Sequence, residues 1–423
     1  MIVVGARCAG SPLATLLARD GMRVCLLDRA SFPSDTPSTH GIQPSGVTVL
    51  EDIGLRAPIE KAAAQIDAAT LALADAEINV EDMRERFGAP MLNIRRITLD
   101  ALLLEAAAAA GTEIRTNTAV TGLVQEHGRV VGVKTRNSEL RAPVVVGADG
   151  ARSTVARLVG AREYKQTPAG RVFMWAYFAG SDAPDDRAWL GRKGDHAFLG
   201  SPTDDSLFMA AVAPPAAQWP KLRADRETAH AEALRGWPEL DAALAGAERV
   251  GPVQVMANWH GFFRESAGPG WVLVGDAGHF KDPTPGQGIS DALRQVVQLS
   301  SAIKAALDAG DERALRTWWS WRDRDAWEMY WFARDMGSPE PSPLLVREIE
   351  RRMATDPKLA AGLMQVLNHD IAPSRVFTPR LALTAMGGAW REHRGDRAHL
   401  VKDLGALMAE KVRHASPPRI RTA

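Results

Sequence analysis

The sequence predicts an α/β fold in which a parallel-sheet domain is interleaved with an antiparallel β-sheet domain and followed by C-terminal helices. An apolar strand, a glycine loop and a helix follow one another at the start of the 423-residue chain, and two later apolar strands each end close to an Asp. These observations predict the parallel part. Long β-rich runs between residues 171 and 258 predict the antiparallel part, a sheet with one covered face.

The first 28 residues have the order of a dinucleotide-binding βαβ unit. A short β-rich run at residues 2–4 precedes a glycine loop, a helical pattern at 12–19 and a second strand at 22–27 that ends at Asp28. In such units a pyrophosphate binds at the helix N-terminus and the acid accepts hydrogen bonds from ribose hydroxyls. The alternative is a βαβ unit that binds no nucleotide.

The candidate ligand-binding residues of this unit are Gly5, Arg7, Gly10, Asp28 and Arg29. Arg7 occupies the place of the second glycine, where a side chain normally obstructs the approach of the pyrophosphate to the backbone. It either turns outward or adds its own charge to the phosphates. The first strand is also short, since strands average about five or six residues, so we expect a few native residues to precede Met1.

A second strand end with an acid follows much later in the chain. Residues 271–274 read as a buried strand, Asp276 lies in the tight exit from it, and a helical pattern starts near Gly286. A carboxylate there can accept hydrogen bonds from ligand hydroxyls, and the glycines of the loop let backbone N–H groups approach a planar ring. The alternative is a strand-turn-helix connection in which Asp is a cap.

The run Gly-Asp-Ala-Gly-His at 275–279, with Asp-Pro at 282–283 and Pro-Gly-Gln-Gly at 285–288, resembles the third flavin motif of FAD-dependent monooxygenases of the para-hydroxybenzoate hydroxylase type. This superfamily also contains the geranylgeranyl reductase-like enzymes. The resemblance implies a FAD-binding Rossmann-like domain of the glutathione reductase type. It also implies that Asp276 binds the ribityl chain of FAD and that the following loop lies against the isoalloxazine, with Pro283, Gly286, Gln287 and Gly288 as its candidate contacts.

Two further segments carry the same resemblance. Residues 144–157 form an apolar strand that runs into Asp149-Gly150 and then a helix start, as in the second flavin motif, which the family uses near the FAD pyrophosphate and for NAD(P)H. Arg96 precedes Leu99 as in the family's Arg-x-x-Leu helix start, where Arg reaches the FAD phosphates. The alternative for Arg96 is a solvated side chain near a helix start.

The polar, proline-interrupted segment 31–45 reads as a long functional loop. In the superfamily this segment passes close to the flavin, so His40 and Gln43 are candidate ring contacts. For each of them, the alternative is a plain surface-loop role.

The composition of the chain limits the kinds of binding partner and the cellular compartment that we expect for it. Lys plus Arg and Asp plus Glu are both 51, so no global basic field favours nucleic acid or an anionic membrane. Cys8 and Cys25, the only cysteines, form no Cys-x-x-Cys pair, which indicates neither a disulfide framework nor a zinc site. We find no targeting signal and no apolar run of the ~18 residues that a membrane span needs. We therefore expect a cytoplasmic protein without stable membrane insertion.

Five of the twelve tryptophans lie in a predicted helix at 312–336. The Trp-x-Trp spacing of Trp319 and Trp321 is similar to a flavin-halogenase motif, but that motif continues into Ile-Pro, whereas Arg322 and Asp323 follow here. We therefore interpret these tryptophans as packing of the helix on the flavin domain. Beyond a linker at 339–343 the sequence predicts short helices, and a disordered basic tail after Lys411.

The motifs lead to a prediction of domains and function. The FAD-binding domain is expected at 1–69, 95–160 and 262–315, the substrate domain at 70–94 and 161–261, and a helical C-terminal region at 316–423.

No second nucleotide fingerprint occurs, so reduction by NAD(P)H has to proceed without a separate Rossmann fold. The resemblance implies a monooxygenase that uses NAD(P)H and O₂ to hydroxylate a hydrophobic, aromatic small molecule through a C4a-hydroperoxyflavin. An O₂-independent reductase of C=C bonds and an inactive FAD-binding protein are the alternatives, and the substrate, the choice of NADH or NADPH and the oligomeric state stay open.

Overall fold

The computed structural model describes residues 1–38, 40–414 and 417, and its first domain is built on a six-stranded sheet. Five adjacent strands are parallel, and the sixth, an edge strand, is antiparallel to its neighbour. Ile2 pairs with both Cys25 and Val145, which places the first strand at the centre of the sheet. The strand order across the sheet is Ala267–Gly268, Trp271–Leu273, Val145–Gly147, Ile2–Val4, Cys25–Leu27 and Glu113–Arg115.

Three helices cover one face of this sheet. Gly10–Arg19 packs between Arg96–Ala109 and Gly288–Ala309. Leu13 and Val296, at apolar positions of these helices, are buried with strand residues such as Val3 in one core. The predicted α/β class and the predicted parallel strands are confirmed.

The second domain is a seven-stranded sheet. It is antiparallel except where Arg187–Lys193 runs parallel to Ala68–Ala72. The β-rich runs that the sequence predicts lie at residues 171–179, 196–199, 206–213 and 250–258. The strand at residues 187–193 is not among them, and it makes the sheet mixed instead of purely antiparallel. Helices cover one face, and Trp237 and Leu240, at the start of the helix Pro238–Ala243, are buried against that face. The order is Glu248–Met256, Phe173–Ala179, Leu207–Ala213, His196–Thr203, Arg187–Lys193, Ala68–Ala72 and Glu77–Val80.

For the segment before the Arg96 helix the sequence predicts two strands, at residues 70–80 and 86–94, and the structure differs from this prediction. Ala68–Ala72 and Glu77–Val80 form a hairpin, but a helix follows at Met83–Phe87, and only Met91–Asn93 is a strand. Gly88, at φ +76°, ends that helix in the left-handed conformation that a glycine adopts without steric cost. The prediction of a continuous strand from Arg86 to Ile94 is therefore wrong.

Smaller sheets and helices connect the two domains. Three three-stranded sheets occur: Gly41–Ile42 with Met91–Asn93 and Ala64–Ile66; Val120–Glu126 with Arg129–Thr135 and Glu139–Arg141; and Glu163–Pro168 with His260–Arg264 and His279–Phe280. The remaining α-helices of this part are Pro44–Asp52, Arg56–Ala62, Thr154–Val159, Trp219–Leu222, Arg226–Leu234 and Pro238–Ala243. Short 3₁₀ turns lie at Asp204–Ser206, Ala216–Gln218, Gly275–Ala277, Pro373–Arg375 and Arg394–Asp396.

The C-terminal region is helical, as predicted. Its helices are Arg313–Met336, Leu344–Thr355, Pro357–Leu367, Pro379–Glu392 and Arg397–Arg413. Trp318 is buried against the flavin-domain core, and its indole N–H donates to the carbonyl of Gln295 at 3.3 Å, in agreement with packing of this helix on that domain. The last helix continues through Arg413, and most of the tail that the sequence predicts to be disordered lies outside the described residues. No helix of the described ranges is both long and apolar enough to cross a membrane.

Candidate functional site

A cavity of about 980 Å³ lies where the carboxyl ends of the parallel strands meet the seven-stranded sheet. All three sequence motifs reach it, which is where ligands bind in open α/β sheets. Eleven of the thirteen predicted contact residues line it: Gly5, Arg7, Asp28, Arg29, Arg96, Asp149, Gly150, Asp276, Pro283, Gly286 and Gly288. The other two, Gly10 and Gln287, lie behind its wall.

The two glycines of the first turn are required by close backbone packing. Gly5 has φ +101°, and a Cβ there would lie 2.4 Å from the carbonyl oxygen of Ala148. A Cβ on Gly10 would lie 1.7 Å from the carbonyl oxygen of Gly5. Gly10 therefore shapes the turn from behind the cavity wall, and the turn leads directly into the N-terminus of the Gly10–Arg19 helix, which favours an anion.

Arg7 turns toward the loop and the Arg96 helix. Its guanidinium donates to Asp100 Oδ2 at 2.6 Å and to Ser34 Oγ at 2.9 Å, and it lies over the ring of Phe32. The side chain therefore lines the cavity from the side, and it leaves the backbone of the turn accessible.

Asp100 also holds Arg96. It is fully buried and accepts from Arg96 Nε at 3.1 Å and from Nη2 at 2.9 Å, one helical turn away. Burial works to lower the pKa of Arg96, but the neighbouring Asp100 carboxylate opposes it, and the pKa lies above its usual range. Two guanidinium groups share one carboxylate, so the cluster keeps one net positive charge beside the glycine turn, which suits a diphosphate.

Asp28 keeps acceptor capacity at the end of its strand. Its Oδ2 accepts from the backbone N–H of Ala6 and its Oδ1 from that of Ala30, both at 2.8 Å. An ionised carboxylate has about four acceptor sites, so ribose hydroxyls can still bind it. The exposed neighbour Arg29 lines the same end of the cavity.

The carboxylate of Asp149 accepts hydrogen bonds mainly from the start of the helix that follows it. Its carboxylate accepts from Ser153 Oγ at 2.5 Å and from the backbone N–H of Thr154 at 2.7 Å, while burial raises its pKa. Gly150, at φ +78°, supplies the turn between strand and helix. The motif thus shapes the cavity wall, and the carboxylate itself is largely satisfied within the protein.

Asp276 differs, because no described residue hydrogen-bonds its carboxylate. The group lies deep in the fold and open to the cavity, where burial raises its pKa to about 6 against the opposing effect of Arg96. The side chain is exposed to this open space, so its oxygens can accept hydrogen bonds from a ligand. This arrangement suits the hydroxyl groups of a ligand and does not fit the alternative of a turn cap.

Gln287 does not present its side chain to the cavity. Its amide oxygen accepts from Lys281 Nζ at 2.7 Å, and its amide nitrogen donates to the carbonyl of Leu367 at 2.8 Å. Lys281 also pairs with Asp291 at 2.6 Å, and His369 contacts the other oxygen of Asp291 at 2.8 Å. These buried groups tie the loop at 281–288 to the C-terminal helices.

The far wall of the cavity is aromatic. Trp259 packs at a ring distance of 6.2 Å from Phe173 and 5.9 Å from Phe280, and its indole N–H donates to the carbonyl of Arg171 at 3.0 Å. Trp175 and Phe262 line the same part. The predicted substrate-side sheet therefore supplies apolar rings to the same space as the charged groups.

The two loop candidates, His40 and Gln43, lie outside the cavity lining. His40 is buried, hydrogen-bonds the Tyr177 hydroxyl through Nε2 and stacks on its ring at 5.6 Å. Gln43 donates to the carbonyl of Pro285 at 3.3 Å. Neither side chain lines the cavity, and both support its walls instead.

Sequence reasoning missed Asp100, Lys281 and Asp291. Asp100 lies four residues after Arg96, a spacing typical of a helical ion pair, so a signal for it existed. Lys281 and Asp291 carry no such signal, because their partners Gln287 and His369 come together only in the folded chain.

The residues present fit FAD. The glycine turn with the Arg7–Asp100–Arg96 cluster suits a pyrophosphate, Asp28 suits a ribose, and the unpartnered carboxylate of Asp276 suits the hydroxyls of a ribityl chain. The aromatic wall suits a flat ring system. No group of three or more potential metal ligands is found among the described residues.

Comparison with known proteins also points to FAD. The family described as FAD binding domain matches residues 1–333. Rifampicin monooxygenase of Streptomyces venezuelae is 25% identical over 361 residues, which cover 82% of this chain and 74% of that protein. Menaquinone reductase of Mycolicibacterium smegmatis is 28% identical over 320 residues, which cover 69% and 73% of the two chains.

A solved structure extends the comparison. The flavin-dependent brominase Bmp2 superposes with a TM-score of 0.73 at 18% identity and covers 93% of this chain and 98% of its own. At this identity the brominase shows a shared fold. The family match spans most of the chain, so the chain belongs to the FAD binding domain family and is a flavin-dependent oxidoreductase of the FAD-dependent monooxygenase superfamily.

Proposed function

We propose that the protein is a FAD-dependent monooxygenase that uses NAD(P)H and O₂ to hydroxylate a hydrophobic, aromatic small molecule. The observation that carries the proposal is the composition of one cavity: charged and glycine-rich groups suited to FAD occupy one end, and an aromatic wall built on Phe173, Trp175 and Trp259 occupies the other. A substrate ring bound against that wall lies in the same space as the flavin site. FAD supplies the oxygen activation, which is why the chain needs few catalytic side chains of its own.

The residues of this chain would bind and orient the cofactor and the substrate, and they exclude water from the substrate end of the cavity. The Arg7–Asp100–Arg96 cluster would hold the pyrophosphate of FAD and Asp276 its ribityl chain, and the aromatic wall keeps the substrate end of the cavity apolar. His279 lines the cavity between these regions, and burial together with the Arg322 charge keeps its pKa well below the usual range. A neutral imidazole at this position can hydrogen-bond a substrate hydroxyl without adding charge to the apolar end.

NAD(P)H is the proposed reductant, and it is expected to reach the flavin from the same cavity, since the sequence contains a single dinucleotide fingerprint. We place the protein in the cytoplasm on the basis of its cysteine usage and even charge. The proposed partner is a small hydrophobic or aromatic substrate, with no role for nucleic acid.

The test is the fate of reducing equivalents in the holoenzyme. We expect slow NAD(P)H oxidation without substrate, stimulation by a fitting aromatic compound, and one ¹⁸O atom in the product under ¹⁸O₂. The same assay without O₂ is the control, and hydroxylation has to stop there.

Other outcomes assign the protein differently. Turnover that continues without O₂ and yields a saturated C=C bond would make it a reductase, the activity that the name of the menaquinone reductase relative leads us to test. A brominated or chlorinated product that forms only with added halide would make it a halogenase. No NAD(P)H oxidation with any ligand would support a FAD-binding protein without catalysis.

A further inference from the structure

A second cavity, of about 1020 Å³, lies between the seven-stranded sheet and the C-terminal helices. We call it the tail chamber. Its walls are largely aliphatic, with Leu71 and Leu190 from the sheet and Ile349, Met353, Leu363 and Ala382 from the helices. Flexible Met and branched aliphatic side chains adapt to a chain-like apolar ligand.

The tail chamber adjoins the flavin cavity. Trp259 and Asp282 line both cavities, so at this point no more than one layer of side chains separates them. Asp282 directly precedes Pro283 in the loop assigned to the flavin ring. Its Oδ1 accepts from the backbone N–H of Thr284 at 2.9 Å, and its Oδ2 has no hydrogen-bond partner among the described residues.

Arg171 lies beside Asp282 and Trp259 at this junction, and further charged side chains, including Arg334, Glu350 and Asp403, also line the tail chamber. Arg171 is fully buried, and it donates only to backbone carbonyls, including those of Ala213 at 2.8 Å and Ser338 at 2.9 Å. Its Nε has no partner within the described part of the chain, and no carboxylate there pairs with it. A buried guanidinium of this kind suits the oxygen of a carbonyl or carboxylate group on a ligand.

The first cavity alone leaves little room for a large substrate. Drug-sized ligands take ~300–1000 Å³, and FAD is larger than most of them, so the cofactor takes most of the 980 Å³ available. The aliphatic space next to it is therefore the natural place for the rest of a bulky substrate.

We propose that the tail chamber binds the long apolar chain of the substrate, with the aromatic head at the flavin and a linking oxygen near Arg171 and Asp282. This inference rests on the proposed function and specifies its substrate class: an aromatic compound that carries an alkyl or isoprenoid chain. The chain passes between Trp259 and Asp282.

The test is a homologous series of alkyl esters of 4-hydroxybenzoate, from ethyl to octyl, titrated into the holoenzyme below their aggregation limits. Flavin absorbance and tryptophan fluorescence report binding, since Trp259 and Trp331 line the tail chamber. Each buried methylene is expected to tighten binding about fourfold, until the chamber is filled. An affinity that does not depend on chain length would overturn the proposal.

A matched pair of variants separates the chamber from nonspecific partitioning. Ala382→Phe fills the chamber, whereas Leu383→Phe changes the next residue of the same helix, which is 59% exposed. Ala382→Phe should flatten the gain with chain length and leave the ethyl ester unchanged, and Leu383→Phe should behave as the wild type. Should Ala382→Phe not fold, Ala197→Leu narrows the chamber from the opposite wall and is expected to give the same flattening.

The two proposals fail in different ways. Binding of short esters without any gain from longer chains would leave the monooxygenase proposal standing and overturn the tail chamber. An equal gain with chain length in Ala382→Phe and the wild type would also overturn it. Chain-dependent binding without O₂-dependent hydroxylation would support the tail chamber and count against the monooxygenase.

Discussion

Replacing Asp276 should weaken FAD binding and, in the FAD-free protein, raise stability. The side chain is exposed to the cavity, and its carboxylate has no hydrogen-bond partner among the described residues. If it accepts from ribityl hydroxyls, Asp276→Ala removes a charged acceptor worth about 1.5–3 kcal/mol, or roughly ten- to a hundred-fold in Kd. Asp276→Asn keeps a neutral acceptor oxygen, so its loss should be smaller.

The pH dependence follows from the direction of the pKa shift. Burial raises the pKa of Asp276 to about 6, above the ordinary value of about 4. The folded FAD-free protein therefore binds a proton at this carboxylate more tightly than the unfolded chain does. Ionisation between about pH 4 and 7 therefore removes stability, and Asp276→Asn avoids this loss. The Tm of the FAD-free variant should exceed that of the wild type at pH 8, and the difference should shrink as the pH falls below 6.

Two assays check this reasoning. Fluorescence titration of the FAD-free protein gives Kd between pH 5 and 8, where the wild type should lose affinity below pH 6 and Asp276→Asn should not. Thermal unfolding of the same FAD-free samples gives Tm. A lower Tm together with an unchanged Kd in Asp276→Asn would refute the ligand role and identify Asp276 as a turn residue.

The remaining predictions concern the other end of the FAD site. The purified protein should be yellow, and acid denaturation should release FAD; release of FMN would contradict the assigned βαβ unit. Arg7→Gly leaves Asp100 with Arg96 alone and lowers the positive charge beside the turn, so FAD should bind more weakly, with a difference that shrinks at high salt; tighter binding would show that Arg7 obstructs the site. Gly10→Ala places a Cβ 1.7 Å from the carbonyl oxygen of Gly5, and the displaced turn should cost at least tenfold in FAD affinity measured by titration. Gly405→Ala is the control, because this exposed glycine lies in the last helix, away from the cavity, and no atom lies within 4 Å of the new Cβ.

Local sequence signals predicted most of the nucleotide end of the site. Strand, glycine turn and acid follow one another at Gly5 and Asp28 and again at Asp276, and parallel strands bring such ends to one edge of the sheet. The predicted strand and helix boundaries there agree with the structure to within a few residues. The helix at Met83–Phe87 and the strand at Arg187–Lys193 were missed, because short amphipathic runs do not separate helix from strand.

Residue roles were harder to predict than residue positions. Asp149 and Gln287 belong to motifs that reach the cavity, yet the first is largely satisfied by its own helix and the second points at the C-terminal helices. The role of Arg7 also depends on its partners, because only the fold shows that its guanidinium donates to Asp100 and so turns away from the backbone of the glycine turn. A motif specifies which residue stands at a position, and the neighbours decide what its side chain contacts.

The C-terminal helices show why the rest of the site lies beyond sequence reasoning. Gln287 bonds the carbonyl of Leu367, and Asp291 bonds His369, across about eighty residues of chain. His369 holds φ +62°, an unfavourable conformation for a residue other than glycine. Gln287 belongs to the loop assigned to the flavin ring, and Asp291, in the first turn of the next helix, pairs with Lys281 of that loop. The position of the loop therefore depends on a C-terminal region that contains none of the flavin motifs. The same helices form the tail chamber, so the region that holds the loop in place also forms the second compartment for substrate.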